Sequence, residues 1–252
     1  MNSTQQQQPR GDGSYELSLT VPFTAILVEE IGTVMGYGDT ALPGPFGDNI
    51  ARILSELEKN CEVRAGYRIV SVTNREHMAD RLELADTVFT PGRILLSQLN
   101  GAQKVAIFVC TIGSSMEETA ARLFREGDPV NGHFYDTVAS VAVEKTATAL
   151  HEVIELRMRS LGMRVTNRFS PGYCGWPLAD QQQLFRFFPD SFCGITLTES
   201  SLMVPKKSIS GIIGAGASVH KEPYFCDRCG NMECTYKNFL KTRNPDKGYH
   251  ND

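Results

Sequence analysis

The sequence predicts an α+β protein, in which a twisted antiparallel sheet is flanked by long helices. Its strand-like segments are short and do not alternate regularly with helices, which argues against a doubly wound parallel sheet. The composition, 41% hydrophobic and 21% charged residues in a chain of 252, is typical of a globular protein. A chain of this length can bury a substantial core.

The beginning of the chain predicts one strand and one helix. Apolar and β-branched residues over 16–27 indicate a strand, although Pro22 interrupts it. A helix is expected to begin at Asp48, because isoleucines and leucines recur after it at helical spacing. The segment between them is rich in glycine and proline and is therefore expected to consist of turns.

Two further strands and a capped helix follow. Alternating residues predict a strand over 61–72, and an apolar run predicts a short buried strand over 104–113. Directly afterwards, Ser114 and Glu117 have the spacing of a capping box, which predicts a helix that ends near Gly127.

The longest periodic segment predicts a helix from about Phe134 to Leu161, with one apolar stripe along it. Four polar side chains follow a neighbouring stripe, and a solvated face is the ordinary interpretation of such a pattern. These four are Glu144, Thr148, His151 and Glu155.

Two strand-like pieces, 194–200 and 208–214, complete the predicted elements. The domain organisation expected from this pattern has three parts. Residues 1–14 are polar and predict a disordered tail. Residues 15–220 form the α+β domain, and residues 221–252 form a C-terminal tail that contains cysteines.

The charge of the chain excludes several classes of function. A net charge of −4 gives no basic footprint for nucleic acid and no charge-driven attraction to membranes.

The expected localisation follows from two further features. The sequence has no apolar run of the ~20 residues that span a bilayer. Its polar N-terminus also lacks the apolar core of a secretory signal, so we expect a cytoplasmic protein. Its seven cysteines are then expected to be reduced, and a cluster among them indicates metal or redox use.

The segment that follows residue 167 has the composition of a binding loop. Arg168 offers a planar fork that can hold a carboxylate through two hydrogen bonds. Gly172 allows a ligand to approach the main chain closely. Tyr173 and Trp176, the only tryptophan, could supply flat faces for a ring or a cation. The residues alone leave a structural loop with a surface arginine equally open.

Two motifs carry a resemblance to a known family. The stretch RFSPGY (168–173) resembles the Arg-x-x-x-Gly-Tyr signature of the S-adenosylmethionine-binding activation domain of cobalamin-dependent methionine synthase. The stretch LTESSLMVPKKSISG (197–211) is similar to a second motif of that domain, at matching distance. Residues 134–152 are similar to its long helix, and residues 109–118 are typical of free-standing members. The resemblance is good over 100–220 and looser before it.

The resemblance implies a ligand site. Arg168 matches the arginine that grips the methionine carboxylate of S-adenosylmethionine. Main-chain groups at Ser170, Gly172 and Tyr173 match positions that hold the rest of the ligand, although Ser170 stands where the family has alanine. Glu144 aligns with the helix carboxylate that faces the positively charged end of the ligand.

The C-terminal tail contains a possible metal site. Cys226, Cys229 and Cys234 form a C-x2-C-x4-C group, and the two-residue spacing lets two thiolates reach one metal. Zinc with a fourth ligand or an iron–sulfur cluster are both compatible with this spacing, and so are three reduced thiols without a metal. Candidate fourth ligands are Cys174, Cys193, His220 and His250.

The function implied by the resemblance is the reductive reactivation of methionine synthase. The protein would be a methyltransferase-type component that brings S-adenosylmethionine to the cob(II)alamin of a separate chain, while a flavodoxin-like donor supplies an electron. The sequence has no Asp-x-His-x-x-Gly motif for a cobalamin of its own. Two alternatives stay open: an activator of another corrinoid-dependent methyltransferase with the cysteine tail as metal or electron-transfer site, and a non-catalytic interaction module.

Overall fold

A computed structural model of the chain describes residues 7–9, 11, 13–37, 40, 42–76, 80–173 and 175–222. The strands are β1 (Gln7–Pro9), β2 (Ser14–Leu17), β3 (Arg64–Glu76), β4 (Arg81–Leu84), β5 (Thr87–Phe89), β6 (Lys104–Thr111), β7 (Arg164–Phe169), β8 (Thr196–Leu197), β9 (Met203–Val204) and β10 (Ser208–Gly216). The helices are α1 (Val28–Val34), α2 (Gly44–Asn60), α3 (Gly92–Gln98), α4 (Ser115–Arg125), α5 (Pro129–Arg159) and α6 (Gln181–Phe185).

The strands confirm the predicted α+β class. Eight of them form one sheet, in which β1, β2, β3, β6, β10 and β7 lie side by side in that order. The far end of β3 also pairs with β4, which in turn pairs with β5. All of these pairs are antiparallel, and β7 lies at one edge.

The sheet separates two apolar cores, and the central strand β6 shows why. Successive side chains of a strand point to opposite faces, so a strand covered on both faces is apolar throughout. Ala106, Phe108 and Cys110 pack on the face covered by α2 and α5. Their neighbours Ile107 and Val109 pack on the other face with α3 and the chain after β7.

Helix α5 is the longest element, with 31 residues, and it begins five residues before the predicted start at Phe134. Asp128 caps it, because its side chain accepts a hydrogen bond from the backbone N–H of Asn131 at 3.1 Å. Pro129 occupies the first turn, where a missing N–H has no cost. The sequence signal at this end is therefore a cap followed by proline.

The predicted strand over 16–27 is too long. β2 ends at Leu17, and residues 23–25 form a 3₁₀ turn whose Ala25 N–H donates to the carbonyl oxygen of Pro22 at 3.0 Å. The apolar side chains of Leu19 and Val21 are nevertheless buried. The pattern was produced by a connection that packs against the core without joining the sheet.

Two helix starts differ in detail from the predictions. α2 begins at Gly44 rather than at Asp48, with a proline in its first turn. α4 begins after Ser114 as predicted, but the Ser114 side chain makes no capping hydrogen bond. The Glu117 carboxylate instead accepts a hydrogen bond from the backbone N–H of Lys206, in a neighbouring segment, at 2.8 Å.

The structure describes only part of each predicted tail. Within residues 1–14, Gln7–Pro9 pair with β2 as a short strand, which requires only main-chain groups. At the other end, contacts with the body extend to Glu222, two residues beyond the predicted boundary.

Among the helices of the described ranges, none has the length and apolarity needed to cross a membrane.

Gly211 on β10 is required by close packing. A Cβ atom there would lie 2.4 Å from the carbonyl oxygen of Phe169 and 3.0 Å from Oγ of Ser170. The first contact is with main chain, which cannot move aside as a flexible side chain can. Gly47 in α2 offers a contrast, because its nearest neighbour would be Cγ1 of Val28 at 3.9 Å.

We therefore expect Gly211→Ala to lower the free energy of unfolding by about 1–3 kcal/mol, as overpacking typically does. Gly47→Ala is the matched control and should be neutral or stabilising, because alanine favours a helix over glycine. Urea unfolding of both variants measures the difference. Equal stability of the two variants would contradict the close approach at Gly211.

Candidate ligand-binding site

The candidate site lies where β7 passes under α5. In the antiparallel register Arg168 stands opposite Ile213 of β10, and Ile213 belongs to the core on the α5 side of the sheet. Side chains directly opposite each other in an antiparallel pair point to the same face. Arg168 therefore faces α5, as the contacts below show.

Arg168 and Glu144, both predicted as site residues, form an ion pair. One Nη of Arg168 donates to the Glu144 carboxylate at 2.7 Å, and the other donates to Oγ1 of Thr148 at 3.3 Å. The Arg168 side chain is only 16% exposed, whereas Glu144 is 41% exposed. A nearly buried cation thus lies beneath a carboxylate that solvent can reach.

The polar stripe of α5 is only partly solvated, because its exposed side chains also make contacts with the sheet edge and His151 is buried. Glu144 and Thr148 contact Arg168, and His151 is buried. Glu155 pairs with Lys221 at 2.6 Å. The stripe forms the seam between the long helix and the edge of the sheet.

The sequence prediction missed a second ion pair on the same seam. Nζ of Lys207, just before β10, lies 2.7 Å from a carboxylate oxygen of Asp136 and donates to Oγ of Ser140 at 2.8 Å. The available signal was the helical spacing, because Asp136 and Ser140 extend the stripe of Glu144 and Thr148 toward the start of α5.

The loop after β7 forms a tight, hydrogen-bonded turn. The N–H of Gly172 donates to the carbonyl oxygen of Trp176 at 2.8 Å, and the N–H of Tyr173 donates to that of Ser170 at 3.2 Å. Gly172 has φ +92°, which a residue with a side chain adopts only with strain. Tyr173 is 55% exposed, so its ring can receive a ligand.

Trp176 does not supply a flat face to the site, contrary to the expectation from sequence. It is buried, and its indole N–H donates to the carboxylate of Asp180 at 2.8 Å. Its ring meets Phe89 edge to face, with 6.0 Å between the centroids. The same Asp180 carboxylate accepts the backbone N–H of Thr90 at 3.0 Å. Trp176 therefore anchors the loop to the opposite layer.

A buried glutamine joins the chain that follows the first motif to the second motif. Nε2 of Gln181 donates to the carbonyl oxygen of Ser201 at 2.8 Å, and its Oε1 accepts from Oγ of Ser210 at 3.0 Å. The chain that follows the Arg168 loop is thereby fixed to the second motif, which spans residues 197–211.

The ion pair has a buried thiol as a neighbour. Cys110 lies near Arg168 and Glu144, but it is fully buried, and burial raises the pKa of its thiol to about 12. The positive charge of Arg168 opposes this shift and Glu144 adds to it. Cys110 is therefore a neutral core residue and not a thiolate.

The predicted metal ligands Cys226, Cys229 and Cys234 lie outside the described residues, and their role stays a prediction. Over residues 7–222, leaving out the short gaps, no group of three or more histidine, cysteine or acidic side chains is arranged to hold a metal ion.

Comparison with known proteins supports the resemblance carried by the two motifs. A family model described as vitamin B12 dependent methionine synthase, activation domain, matches residues 73–235. The fold is similar to that in the crystal structure of the MetH reactivation domain bound to AdoHcy, with a TM-score of 0.53 and 17% sequence identity over 84% of this chain and 80% of that one. Among curated proteins, no sequence matches significantly.

His151 is a buried imidazole on the seam, one turn beyond Thr148. It makes a hydrogen bond to the main chain at Thr166, and its Nε2 has no hydrogen-bond partner among the described residues. Burial lowers its pKa from 6.5 to about 4, and the positive charges of Lys221 and Arg168 add to the effect. Glu155 acts in the opposite direction. The imidazole is therefore neutral at physiological pH.

Because the unfolded chain binds a proton near pH 6.5 and the folded one only near pH 4, His151 should make folding less stable as the pH falls between these values. The loss should approach about 3 kcal/mol, at 1.36 kcal/mol per pH unit. Urea unfolding at several pH values should show a shallower loss for His151→Gln than for the unmodified protein. Identical pH slopes would contradict the buried, neutral imidazole.

Proposed function

Because the chain belongs to the family of the activation domain of vitamin B12 dependent methionine synthase, we propose that it binds S-adenosylmethionine between α5 and the edge of the sheet. There it would present the methyl group to a cobalamin carried by another domain. The observation that carries this proposal is the Arg168–Glu144 pair.

The pair is complementary to an α-amino acid. Such a group carries a carboxylate and an ammonium on one carbon, and Arg168 and Glu144 offer the opposite charges with 2.7 Å between their nearest atoms. The four charges would alternate around a closed ring. A guanidinium has five N–H donors, so Arg168 can hold Glu144 and a ligand carboxylate at the same time.

Burial makes this arrangement suitable for binding. Charges interact more strongly where water is excluded, and the Arg168 side chain is only 16% exposed. The greater exposure of Glu144 leaves a path by which an ammonium group can reach the pair. Thr148 holds the second Nη of Arg168 and thereby orients the guanidinium.

The turn after β7 suits the nucleoside part of the ligand. Because the N–H groups of Gly172 and Tyr173 are engaged within the turn, it would contribute mainly carbonyl oxygens, each of which can accept a second hydrogen bond. The exocyclic amine of adenine is a donor. The exposed ring of Tyr173 could stack on the base. Ser170 begins this turn, two residues after Arg168, and its carbonyl oxygen accepts the N–H of Tyr173.

The chemistry belongs to the bound groups. A cobalamin on the partner would supply the chemistry: reduced by one electron from a flavodoxin-like donor, it would accept the methyl group of the sulfonium, and S-adenosylhomocysteine would be left on this chain. The chain itself binds and orients the methyl donor. We also propose that this cobalamin is held by a methionine synthase supplied as a separate chain, and the support is the stretch 109–118, which is typical of free-standing members of the family.

A second candidate partner is another corrinoid-dependent methyltransferase, with the same binding chemistry. Absorbance changes that follow cob(II)alamin to methylcobalamin, measured with each partner in turn, distinguish the two. If the protein binds S-adenosylmethionine but the cobalamin of neither partner is converted, the result would contradict reactivation and favour an interaction module.

We also propose that Cys226, Cys229 and Cys234 hold zinc or an iron–sulfur cluster. The support is their C-x2-C-x4-C spacing alone. Metal analysis and absorbance spectra of the full chain, compared with a chain truncated after Glu222, identify the metal. An equal metal content in both forms would favour three free thiols.

Replacing Arg168 tests the binding proposal. Arg168→Ala should weaken S-adenosylmethionine binding by ~2–5 kcal/mol, because a charge pair loses one partner. Arg168→Lys should also weaken it, since a point charge cannot reproduce the fork. Calorimetry measures both dissociation constants. Arg122→Ala, which removes an exposed arginine of α4, is the control and should change nothing. An unchanged dissociation constant for a folded Arg168→Ala variant would contradict the proposal.

Glu144→Gln separates the two halves of the clamp. If Glu144 faces the ligand ammonium, the substitution should weaken S-adenosylmethionine more than an analogue without the amino group. The comparison by calorimetry cancels any effect that acts through the position of Arg168, because both ligands keep the carboxylate. Equal losses for the two ligands would mean that Glu144 only positions Arg168.

A further inference from the structure

Helix α5 repeats an acid and a hydroxyl along the seam. Asp136, Ser140, Glu144 and Thr148 follow one another at intervals of four residues, which places them on one face of the helix. The Glu144–Thr148 half belongs to the amino-acid clamp proposed above. The Asp136–Ser140 half has no role in that clamp.

Each half holds one cation: Arg168 of β7 or Lys207 just before β10. Lys207 contacts Asp136 at 2.7 Å and Ser140 at 2.8 Å, as Arg168 contacts Glu144 at 2.7 Å and Thr148 at 3.3 Å. The Lys207 side chain is 13% exposed and the Asp136 side chain is 50% exposed. The second pair thus repeats the pattern of the first, with a nearly buried cation beneath an accessible carboxylate.

The second pair lies on the nucleoside side of the first. β10 and β7 are antiparallel and Ile212 stands opposite Phe169, so the beginning of β10 runs alongside the turn that follows β7. Lys207 comes just before β10 and therefore lies on the side of that turn. Along α5, eight residues separate Asp136 from Glu144, which corresponds to about 12 Å.

We propose that Asp136, Ser140 and Lys207 form a second subsite, which binds the ribose hydroxyls of the ligand. This rests on the proposed function, in which an S-adenosyl amino acid occupies the seam. Neighbouring hydroxyls can donate to the Asp136 carboxylate and accept from the Lys207 ammonium. The chain of bonds from the amino group through the sulfur to the ribose is long enough to reach from Glu144 toward Asp136.

A purely structural role for this pair is testable with a variant that keeps the fold. Asp136 is half exposed, and Asp136→Asn leaves Lys207 its contact with Ser140, so the variant protein should fold. Lys145 on α5 provides a matched control, since it pairs with Glu30 at 2.8 Å away from the Asp136–Thr148 stripe.

The experiment compares S-adenosylhomocysteine with its 2′,3′-dideoxy analogue by calorimetry. Asp136→Asn and Lys207→Met should each weaken binding of the hydroxylated ligand by roughly tenfold, as expected for hydrogen bonds to charged groups. Neither should change binding of the dideoxy ligand. Lys145→Met should change neither ligand.

Two results would overturn the second subsite: equal weakening of both ligands by Asp136→Asn and Lys207→Met, or no change with either ligand. Arg168→Ala distinguishes this failure from failure of the proposed function. It should weaken both ligands, since both carry the amino-acid group. If Arg168→Ala changes neither ligand, the ligand assignment itself fails and the subsite fails with it.

Discussion

The ion pair between Arg168 and Glu144 is the interaction on which the candidate site depends. It joins an edge strand to a helix of 31 residues, and it requires both the strand order and the register of β7 against β10. A shift of one residue in that register would turn Arg168 to the other face of the sheet. The antiparallel topology is therefore a condition of the site as well as its scaffold.

The seam around this pair holds α5 on the sheet and still leaves the carboxylates accessible to solvent. The apolar stripe of α5 packs on the sheet, while its polar stripe lies at the edge, where water still reaches the carboxylates. The two cations, Arg168 of β7 and Lys207 just before β10, are nearly buried, so their positions are restricted by packing as well as by charge. A surface of this kind is organised before a ligand arrives, which reduces the ordering cost of binding.

The predictions from sequence agree with the structure most closely where residues near one another in the chain determine the structure. The helical spacing of α5 predicted the stripe, and the resemblance to a known family, together with the chemistry of a zwitterion, selected Arg168 and Glu144 from the rest. The Lys207–Asp136 contact was missed, because it depends on how β10 lies against α5. Trp176 was misplaced for a similar reason: an aromatic residue in a glycine-rich loop can face a ligand or the core, and the position of Asp180 decides.

The link from Trp176 through Asp180 to the main chain at Thr90 has a thermodynamic consequence. It ties the turn beside Arg168 to the layer that contains β5 and α3, on the far face of the sheet. Ligand binding that depends on an ordered turn is then coupled to the stability of that distant layer. Occupancy of the seam should slow amide hydrogen exchange in β5 and α3, and local opening of that layer should in turn lower the affinity of the seam.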